Sequence, residues 1–279
     1  MFSIGVFGPI GSGKSRVAHI LEEKGAHRID LDKIGAQVLA PSTEPVAEVE
    51  ALWPQVVHEG RVDTAALARI VFADGDARHA LERIVHPRVW KKADEWLGTM
   101  GAKDPSGVAV IESALLPGST HEWAYHMNLF VNADEQTRLD RLTRLRNMSA
   151  DDARARMNAQ VPESVARQIA DVEIDNTGDA EILASEVDYL WSVRLEPFAR
   201  NLSAMNRSLG PDFPPDPENV IRAMKRLTAY GLDVKSSASG LIVEGKGSAA
   251  QFYGAGFVPY QDGYVSADPT YALRVTLEQ

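Results

Sequence analysis

The sequence of 279 residues contains no cysteine, and this absence excludes several kinds of site. Without a thiol the chain has no disulfide framework, iron–sulfur cluster, thiolate metal site or cysteine nucleophile. Positive charge is also scarce, because 29 lysines and arginines stand against 39 aspartates and glutamates, a formal net charge of −10. Wrapping a nucleic-acid backbone requires a basic surface, so we expect no nucleic-acid partner. A single nucleotide needs only local positive charge, and its binding is compatible with this composition.

Long apolar runs are absent too, since no stretch approaches the roughly 18 residues of a membrane span. The N-terminal residues 1–8 contain neither the basic nor the long apolar region of a secretory signal. Hydrophobic residues make up 44 % and charged residues 24 %, values typical of globular proteins. We therefore expect a cytoplasmic globular protein with no membrane partner, and about 150 residues per domain suggests one or two domains.

The first 200 residues show the alternation of short apolar runs and helical patterns that is typical of the α/β class. Residues 2–7 are predicted to form a buried strand, residues 14–24 a helix, and Arg28-Ile29 a second strand that leads into Asp30-Leu31-Asp32. Further strands are predicted at 108–111, 128–131 and 172–174, and residues 33–103 are predicted to be mainly helical. This order indicates a parallel sheet flanked by helices.

The composition changes after about residue 195. Residues 200–217 are rich in asparagine, serine and proline, as in a linker. A helix near 218–230, a hairpin at 232–246, a short helix near 248–254 and strands near 256–260 and 271–277 are predicted to follow. We therefore predict an α/β domain at 1–199 and a small α+β domain at 218–279.

Residues 8–15, Gly-Pro-Ile-Gly-Ser-Gly-Lys-Ser, match the P-loop pattern G-x-x-x-x-G-K-[ST]. Glycine lets the backbone adopt positive φ angles and approach phosphate groups closely. Successive amides and the N-terminus of the following helix then attract the phosphate charge. Lys14 would reach the β- and γ-phosphates, and the Ser15 hydroxyl would bind Mg²⁺. The required context, a strand before the loop and a helix after it, is also predicted, so we expect the loop to bind ATP.

Three classes of P-loop protein compete: a GTPase, a motor-type ATPase and a small-molecule kinase. A GTPase should carry an Asn-Lys-x-Asp guanine-recognition motif, which this sequence lacks, and the acidic composition disfavours a nucleic-acid motor. A small-molecule kinase needs a carboxylate near the γ-phosphate, and Asp30 and Asp32 end the second predicted strand. Alternation along an extended segment would place both carboxylates on one side. Asp32 is predicted to be the catalytic base, while each aspartate could instead cap the following helix.

Other charged residues have alternative interpretations. Arg141, Arg144 and Arg146 lie in a charged helical stretch and could close over the phosphates or form a solvated helix face. We predict that Arg141 or Arg144 contacts phosphate. Glu112 follows the predicted strand at 108–111 and could hold Mg²⁺ through water, contact the acceptor, or simply end the strand.

Several stretches together resemble the dephospho-CoA kinase family. They occur in the family's order over about the first 200 residues: the P-loop at 8–15, Ile-Asp-Leu-Asp-Lys-Ile at 29–34, Val-Phe-Ala-Asp at 71–74, Ile-Val-His-Pro-Arg-Val at 84–89, the arginine-rich stretch 146–160, and Ile-Asp-Asn-Thr-Gly-Asp at 174–179. The P-loop is shared by many kinases. The aspartate pair, the His-Pro and the Asp-Asn-x-Gly together are much more specific.

The resemblance implies ATP-dependent phosphorylation of the 3′-hydroxyl of dephospho-CoA, with Asp32 as the catalytic aspartate. It also implies a helical acceptor region at about 33–103, a lid at about 134–165, and a loop beside adenine that contains Asn176 and Gly178. The expected catalytic residues are Asp32, Lys14, Arg141 and Arg144. The expected ATP-binding residues are Gly8, Gly11, Ser12, Gly13, Lys14, Ser15, Arg16, Asn176 and Gly178. The expected acceptor-binding residues are Asp30, His86, Arg88, Glu112 and Leu115.

The sequence departs from the family pattern at Pro9, where the family usually has glycine, and in the stretch 112–118, which lacks a proline and a glutamate of the family motif. Two alternative functions therefore stay open: a kinase of another small alcohol or of a nucleoside monophosphate, and a non-catalytic nucleotide sensor. Residues 218–279 are expected to be a non-catalytic appendage, and the protein a monomer or a weak homo-oligomer.

Overall fold

The protein is described from a computed structural model, which defines residues 1–207, 213–238 and 240–278. The strands are β1 Phe2–Phe7, β2 His27–Asp30, β3 Val57–His58, β4 Arg61–Val62, β5 Val108–Glu112, β6 Met127–Asn132, β7 Val172–Asp175, β8 Asp233–Ser237, β9 Gly240–Glu244, β10 Phe257–Tyr260, β11 Gly263–Ser266 and β12 Arg274–Glu278. The helices are α1 Lys14–Glu23, α2 Leu31–Val38, α3 Glu44–Leu52, α4 Thr64–Ala73, α5 Gly75–Lys103, α6 Glu135–Leu145, α7 Ala150–Asn158, α8 Glu163–Gln168, α9 Ala180–Leu190, α10 Glu196–Ser203, α11 Pro217–Ala229 and α12 Ala249–Gly254. Within the described ranges, no helix is long and apolar enough to cross a lipid bilayer.

Five strands form the main sheet in the order β2-β5-β1-β6-β7, and β5, β1, β6 and β7 pair in parallel. Every residue of β1 and β5 is buried, as expected for strands covered on both faces. Parallel pairing brings the strand ends together at two edges. We call the edge that contains Phe7, Glu112 and Asp175 the carboxyl edge, and the edge that contains Phe2, Met127 and Val172 the amino edge. The predicted parallel α/β sheet is confirmed.

The chain divides into two compact units. The first consists of Met1–Arg28 and Met100–Gln279, and the second of Ile29–Thr99. The second unit is mainly helical, as predicted, and adds the short hairpin of β3 and β4. Its core is formed by six buried apolar side chains: Val46, Val49, Val56, Val57, Leu67 and Ile84.

The first unit contains a second sheet, built from the C-terminal residues in the order β10-β11-β12-β9-β8. Strands β9 and β12 are parallel, and the other pairs are antiparallel. The predicted helices, the hairpin and the strand near 256–260 are confirmed, and the last strand is β12, while β11 was not predicted. Within the predicted linker 200–217, residues 208–212 lie outside the described residues.

The C-terminal sheet shares a hydrophobic core with the main sheet. Val258, Val265 and Ala267 belong to the same buried cluster as Phe2 and Met127 at the amino edge. Burial of apolar surface contributes roughly 25 cal/mol per Å², so a shared cluster couples the folding of the two sheets. The predicted division into a domain at 1–199 and a domain at 218–279 stays a prediction. One apolar cluster contains residues from both of these segments.

Buried ion pairs reinforce this contact. Arg226 donates to both carboxylate oxygens of Asp171, through Nη1 at 3.0 Å and through Nη2, and its Nε donates to the carbonyl of Tyr125 at 2.9 Å. Arg222 Nε lies 3.4 Å from the same carboxylate, and the Asp171 and Arg226 side chains are 5 % and 4 % exposed. Asp171 also accepts from the amide of Asn128 at 2.7 Å, so helix α11 is tied to the start of β6.

Candidate active site

The P-loop residues 8–15 connect β1 to α1 at the carboxyl edge. Gly11 and Gly13 have φ angles of 83° and 90°, the left-handed region that glycine adopts without strain. A Cβ on Gly13 would lie 2.1 Å from Nδ2 of Asn176, so a side chain would collide at this position. The positive end of the α1 dipole faces the loop, as an anion site requires.

The polar side chains of the loop differ in exposure. Lys14 and Ser12 are buried, at 8 % and 0 % exposure, whereas Ser15 and Arg16 are exposed. Among the described atoms the buried Ser12 Oγ has no hydrogen-bond partner. The Ser15 hydroxyl donates a hydrogen bond to Oε1 of Glu112 at the end of β5. The structure therefore brings together Ser15, the predicted magnesium ligand, and Glu112, for which a magnesium role was one of three alternatives.

Glu112 is buried and has a second neighbour, the charged Arg28 of β2. The Arg28 guanidinium donates to Oε2 of Glu112 through Nη2 at 2.7 Å and through Nε at 3.2 Å. Burial alone would lower the pKa of Arg28, but the hydrogen bonds and charge of Glu112, aided by Glu22, leave this pKa above its ordinary value. Sequence reasoning missed Arg28, because its pairing depends on the strand order that puts β2 beside β5.

The three arginines of the predicted lid occupy different positions. Arg141 of α6 donates through Nη2 to the carbonyl of Asn176 at 2.7 Å, and its Nη1 lies 3.4 Å from the carbonyl oxygens of Gly11 and Ser12. Arg144 is 79 % exposed and lies 3.9 Å from Asp140 on the same helix. Arg146 is also exposed. The structure thus brings Arg141 to the P-loop and leaves Arg144 on the solvent face of α6.

Two further side chains support the loop. Asn176 is buried and its Nδ2 donates to the carbonyl of Ser12 at 2.7 Å, while the nearby Gly178 is exposed. The side-chain oxygen of Gln160 accepts from the amide of Ile10 at 2.7 Å. Gln160 was not predicted as a site residue, although it is the last residue of the stretch 146–160, which carried part of the family resemblance and lies within the predicted lid.

The second unit contains the aspartate pair. Asp30 caps α2, because its Oδ1 accepts from the amides of Asp32 at 3.1 Å and Lys33 at 3.2 Å. Asp32 is exposed in the first turn of α2. The expectation that alternation along an extended segment places both carboxylates on one side is wrong, because the helix begins at Leu31. The capping alternative holds for Asp30, and the role of Asp32 stays a prediction.

The remaining acceptor candidates lie in both units. His86 is half-buried in α5, and burial lowers its pKa against the opposing charge of Glu82. Arg88 donates to the carbonyl of Ile84 at 2.7 Å and to the carboxylate of Glu48, so it links α5 to α3. In the first unit, half-buried Leu115 follows Glu112 and donates its amide to Ser113 Oγ at 3.0 Å.

Comparison with known proteins identifies the family. The profile of the dephospho-CoA kinases matches residues 2–181. The chain belongs to the dephospho-CoA kinase family. A dephospho-CoA kinase of Streptomyces avermitilis is 40 % identical over 194 residues, covering 69 % of this chain and 93 % of that protein. The family predicted from the sequence motifs is confirmed, and with it membership among the P-loop phosphotransferases.

Two other comparisons concern chain length and fold. A dephospho-CoA kinase of Mycolicibacterium paratuberculosis is 35 % identical over 254 residues, which is 90 % of this chain and 61 % of that protein. This match extends beyond residues 2–181, and the chain spans less than two thirds of that relative's length. A crystal structure of a Thermus thermophilus protein superposes with a TM-score of 0.59 at 34 % identity, covering 68 % of this chain and 96 % of the other.

Proposed function

We propose that this protein transfers the γ-phosphoryl group of ATP to the 3′-hydroxyl of dephospho-CoA, which produces CoA in the last step of its biosynthesis. The observation that carries the proposal is a P-loop whose glycines adopt positive φ angles at the carboxyl edge of the sheet, in a chain that belongs to the dephospho-CoA kinase family. The names of the relatives, at up to 40 % identity, support the same reaction. The reaction belongs to the cytoplasm, and the protein acts as a monomer or weak homo-oligomer.

The phosphate side of the reaction relies on the first unit. Backbone N–H groups within the P-loop bind the phosphates, and Lys14 offsets the negative charge on the β- and γ-phosphates. Asn176 supports the loop through its hydrogen bond to Ser12. Arg141 exchanges its carbonyl partners for phosphate oxygens, and its position favours it over Arg144 as the lid arginine. The proposed ATP contacts are Gly8, Gly11, Ser12, Gly13, Lys14, Ser15, Arg16, Asn176 and Gly178.

The residues beside the loop fit a magnesium ion. A hydroxyl and carboxylate oxygens are the ligand types that Mg²⁺ prefers, and Ser15 and Glu112 offer both in contact with each other. Ser15 would hold the ion that arrives with ATP, and Glu112 would hold it directly or through water. When bound, the ion would neutralise part of the phosphate charge, while the protein positions the reactants.

The acceptor side supplies the proton transfer. Asp32 accepts the proton of the 3′-hydroxyl while the oxygen bonds to the γ-phosphorus, and the bond between the γ-phosphorus and the bridging oxygen breaks to release ADP. Four residues are proposed to bind dephospho-CoA: Asp30, His86, Arg88 and Leu115. For Arg88 this requires its guanidinium to be shared with Glu48. Glu112, the fifth acceptor candidate from the sequence, is assigned to the magnesium side because both of its carboxylate oxygens have partners there.

The test is ADP release by the purified full-length protein with a panel of acceptors. We expect dephospho-CoA to stimulate turnover far more than adenosine, nucleoside monophosphates or simple alcohols. Stimulation by another acceptor alone would contradict the dephospho-CoA assignment and favour a different small-molecule kinase. ATP binding without transfer to any acceptor would favour a nucleotide sensor.

A further inference from the structure

The two oxygens of the Glu112 carboxylate have different partners. Oε1 accepts from the hydroxyl of Ser15 in the first turn of α1, and Oε2 accepts twice from Arg28 in β2. The Glu112 side chain is 1 % exposed and that of Arg28 is 16 % exposed. A buried carboxylate therefore connects the P-loop serine to an arginine that lies outside the loop.

The arginine contact fixes the orientation of this carboxylate. Two donors of one planar guanidinium converge on Oε2, and such charge-assisted bonds are shorter and stronger than neutral ones. Nη1 of Arg28 also lies 3.5 Å from Oε2 of Glu22, near the end of α1. With its fork engaged by two glutamates, Arg28 is placed to hold a side chain rather than to bind phosphate.

We propose that Arg28 is a positioning residue for the metal side of the nucleotide site, which it serves by holding Glu112 against the Ser15 hydroxyl. A hydroxyl that donates its proton to a carboxylate keeps its lone pairs for a metal ion. Removing a residue that hydrogen-bonds to a metal-binding side chain, without touching the metal itself, typically lowers metal affinity by about 10–100-fold. The inference rests on the proposed function only in requiring a magnesium–nucleotide complex as ligand.

The experiment compares the affinity of the full-length protein for ADP in excess Mg²⁺ with its affinity in EDTA, by titration calorimetry. In Arg28→Met we expect the gain in affinity due to Mg²⁺ to fall at least about tenfold, with ADP binding in EDTA changed less than about twofold. Arg28→Lys, which keeps the charge but not the fork, should recover part of the gain. The matched control is Arg200→Met, an exposed arginine on α10, which should leave both affinities unchanged.

Repeating the Arg28→Met substitution in a Glu112→Gln protein separates a positioning role of Arg28 from a general effect on the fold. If Arg28 acts through Glu112, Arg28→Met should cause no further loss of the Mg²⁺ gain in the Glu112→Gln protein. The double variant also removes both charges of this pair, so it and Arg28→Lys provide the test if Arg28→Met alone does not fold. The proposal would be overturned if Arg28→Met lowered ADP affinity equally with and without Mg²⁺. It would also be overturned if Arg28→Met lowered the Mg²⁺ gain as much in the Glu112→Gln protein as in the wild type. Because no acceptor is present, the result is independent of the dephospho-CoA assignment.

Discussion

The two edges of the main sheet use polar residues in opposite ways. At the carboxyl edge, the glycine-rich loop carries Lys14 and Ser15, and Arg141 donates hydrogen bonds to backbone carbonyls of the loop and of Asn176. At the amino edge, Asp171 and Arg226 pair with each other inside the protein at 5 % and 4 % exposure. One edge is therefore arranged to receive a ligand, whereas the other is closed by the chain's own C-terminal region.

This difference indicates where each part of the molecule acts. A charge that serves a ligand must be able to change partners, while a buried charge must keep its partner to offset the cost of its desolvation. We therefore expect substitutions at the amino edge to change stability, and substitutions at the carboxyl edge to change turnover. The predictions below test whether effects on stability and effects on turnover separate in this way.

The largest effect is expected at Asp171. Asp171→Asn removes the carboxylate partner of buried Arg226 and leaves Arg222 with the exposed Glu218 as its acidic partner. Breaking a buried pair in this way costs about 3–5 kcal/mol. Urea unfolding should show this loss, while turnover per folded molecule stays within about twofold. The control Glu196→Gln, at an exposed pair on α10, should change stability by less than about 0.5 kcal/mol. A large loss of turnover in folded Asp171→Asn would contradict the separation of the two edges.

The next effect is expected at Arg141. Arg141→Met should lower turnover by about 100-fold, because it removes a charge placed to stabilise the transferring phosphoryl group. The measurement is steady-state ADP release at saturating ATP, with thermal unfolding as the check on folding. Loss of stability with unchanged turnover would instead assign Arg141 to holding the loop at Asn176.

A smaller effect is expected from the pH dependence of His126. Its Nε2 donates to the Tyr253 carbonyl at 3.1 Å, so Nδ1 is the acceptor that faces Ser3. Burial, together with the nearby N-terminal ammonium, lowers the pKa of His126 from 6.5 to about 3. Between these values the unfolded chain binds the proton and the folded chain does not, so stability is lost as the pH falls below 6.5.

For His126, the loss should be on the order of 2 kcal/mol at pH 5 relative to pH 7. The measurement is urea unfolding at both pH values, with His126→Gln as the matched variant, since its amide can donate to the same carbonyl without titrating. The wild type should lose that much more stability than the variant. Equal losses in the two proteins would show that the histidine is not held neutral in the fold.

The smallest effect is expected at Arg144. Arg144→Met removes an exposed side chain whose pair with Asp140 is 3.9 Å long, and pairs of this kind contribute little. Turnover should change less than about threefold, in contrast to Arg141→Met. A loss as large as that of Arg141→Met would show that the lid rotates Arg144 toward the phosphates during the reaction.

Local patterns allowed the sheet and the phosphate loop to be predicted from the sequence. The spacing of Gly8, Gly13 and Lys14 encodes the P-loop, and apolar runs encode the strands that precede and follow it. The choice between Arg141 and Arg144 could not be made, because it depends on how α6 is rotated against the loop. The alternation argument for Asp30 and Asp32 was wrong because capping by Asp30 starts the helix immediately after it.

Long-range pairs were beyond sequence reasoning. Arg28 and Glu112 are 84 positions apart, and Asp171 and Arg226 are 55 apart. Such pairs become neighbours only through strand order and domain packing. One signal was present, since Arg222 and Arg226 stand one helical turn apart in a segment that also carries an apolar face. Two arginines that share a buried face require a buried acid, and Asp171 fills that role.

The most direct test of the central claim is CoA formation by the full-length protein from ATP and dephospho-CoA, read by a CoA-dependent enzyme that requires the 3′-phosphate. We expect CoA formation that matches ADP release by the wild type, and at least about 100-fold slower formation by Asp32→Asn with ATP affinity unchanged. Release of ADP without CoA, or equal rates in the two proteins, would contradict the account.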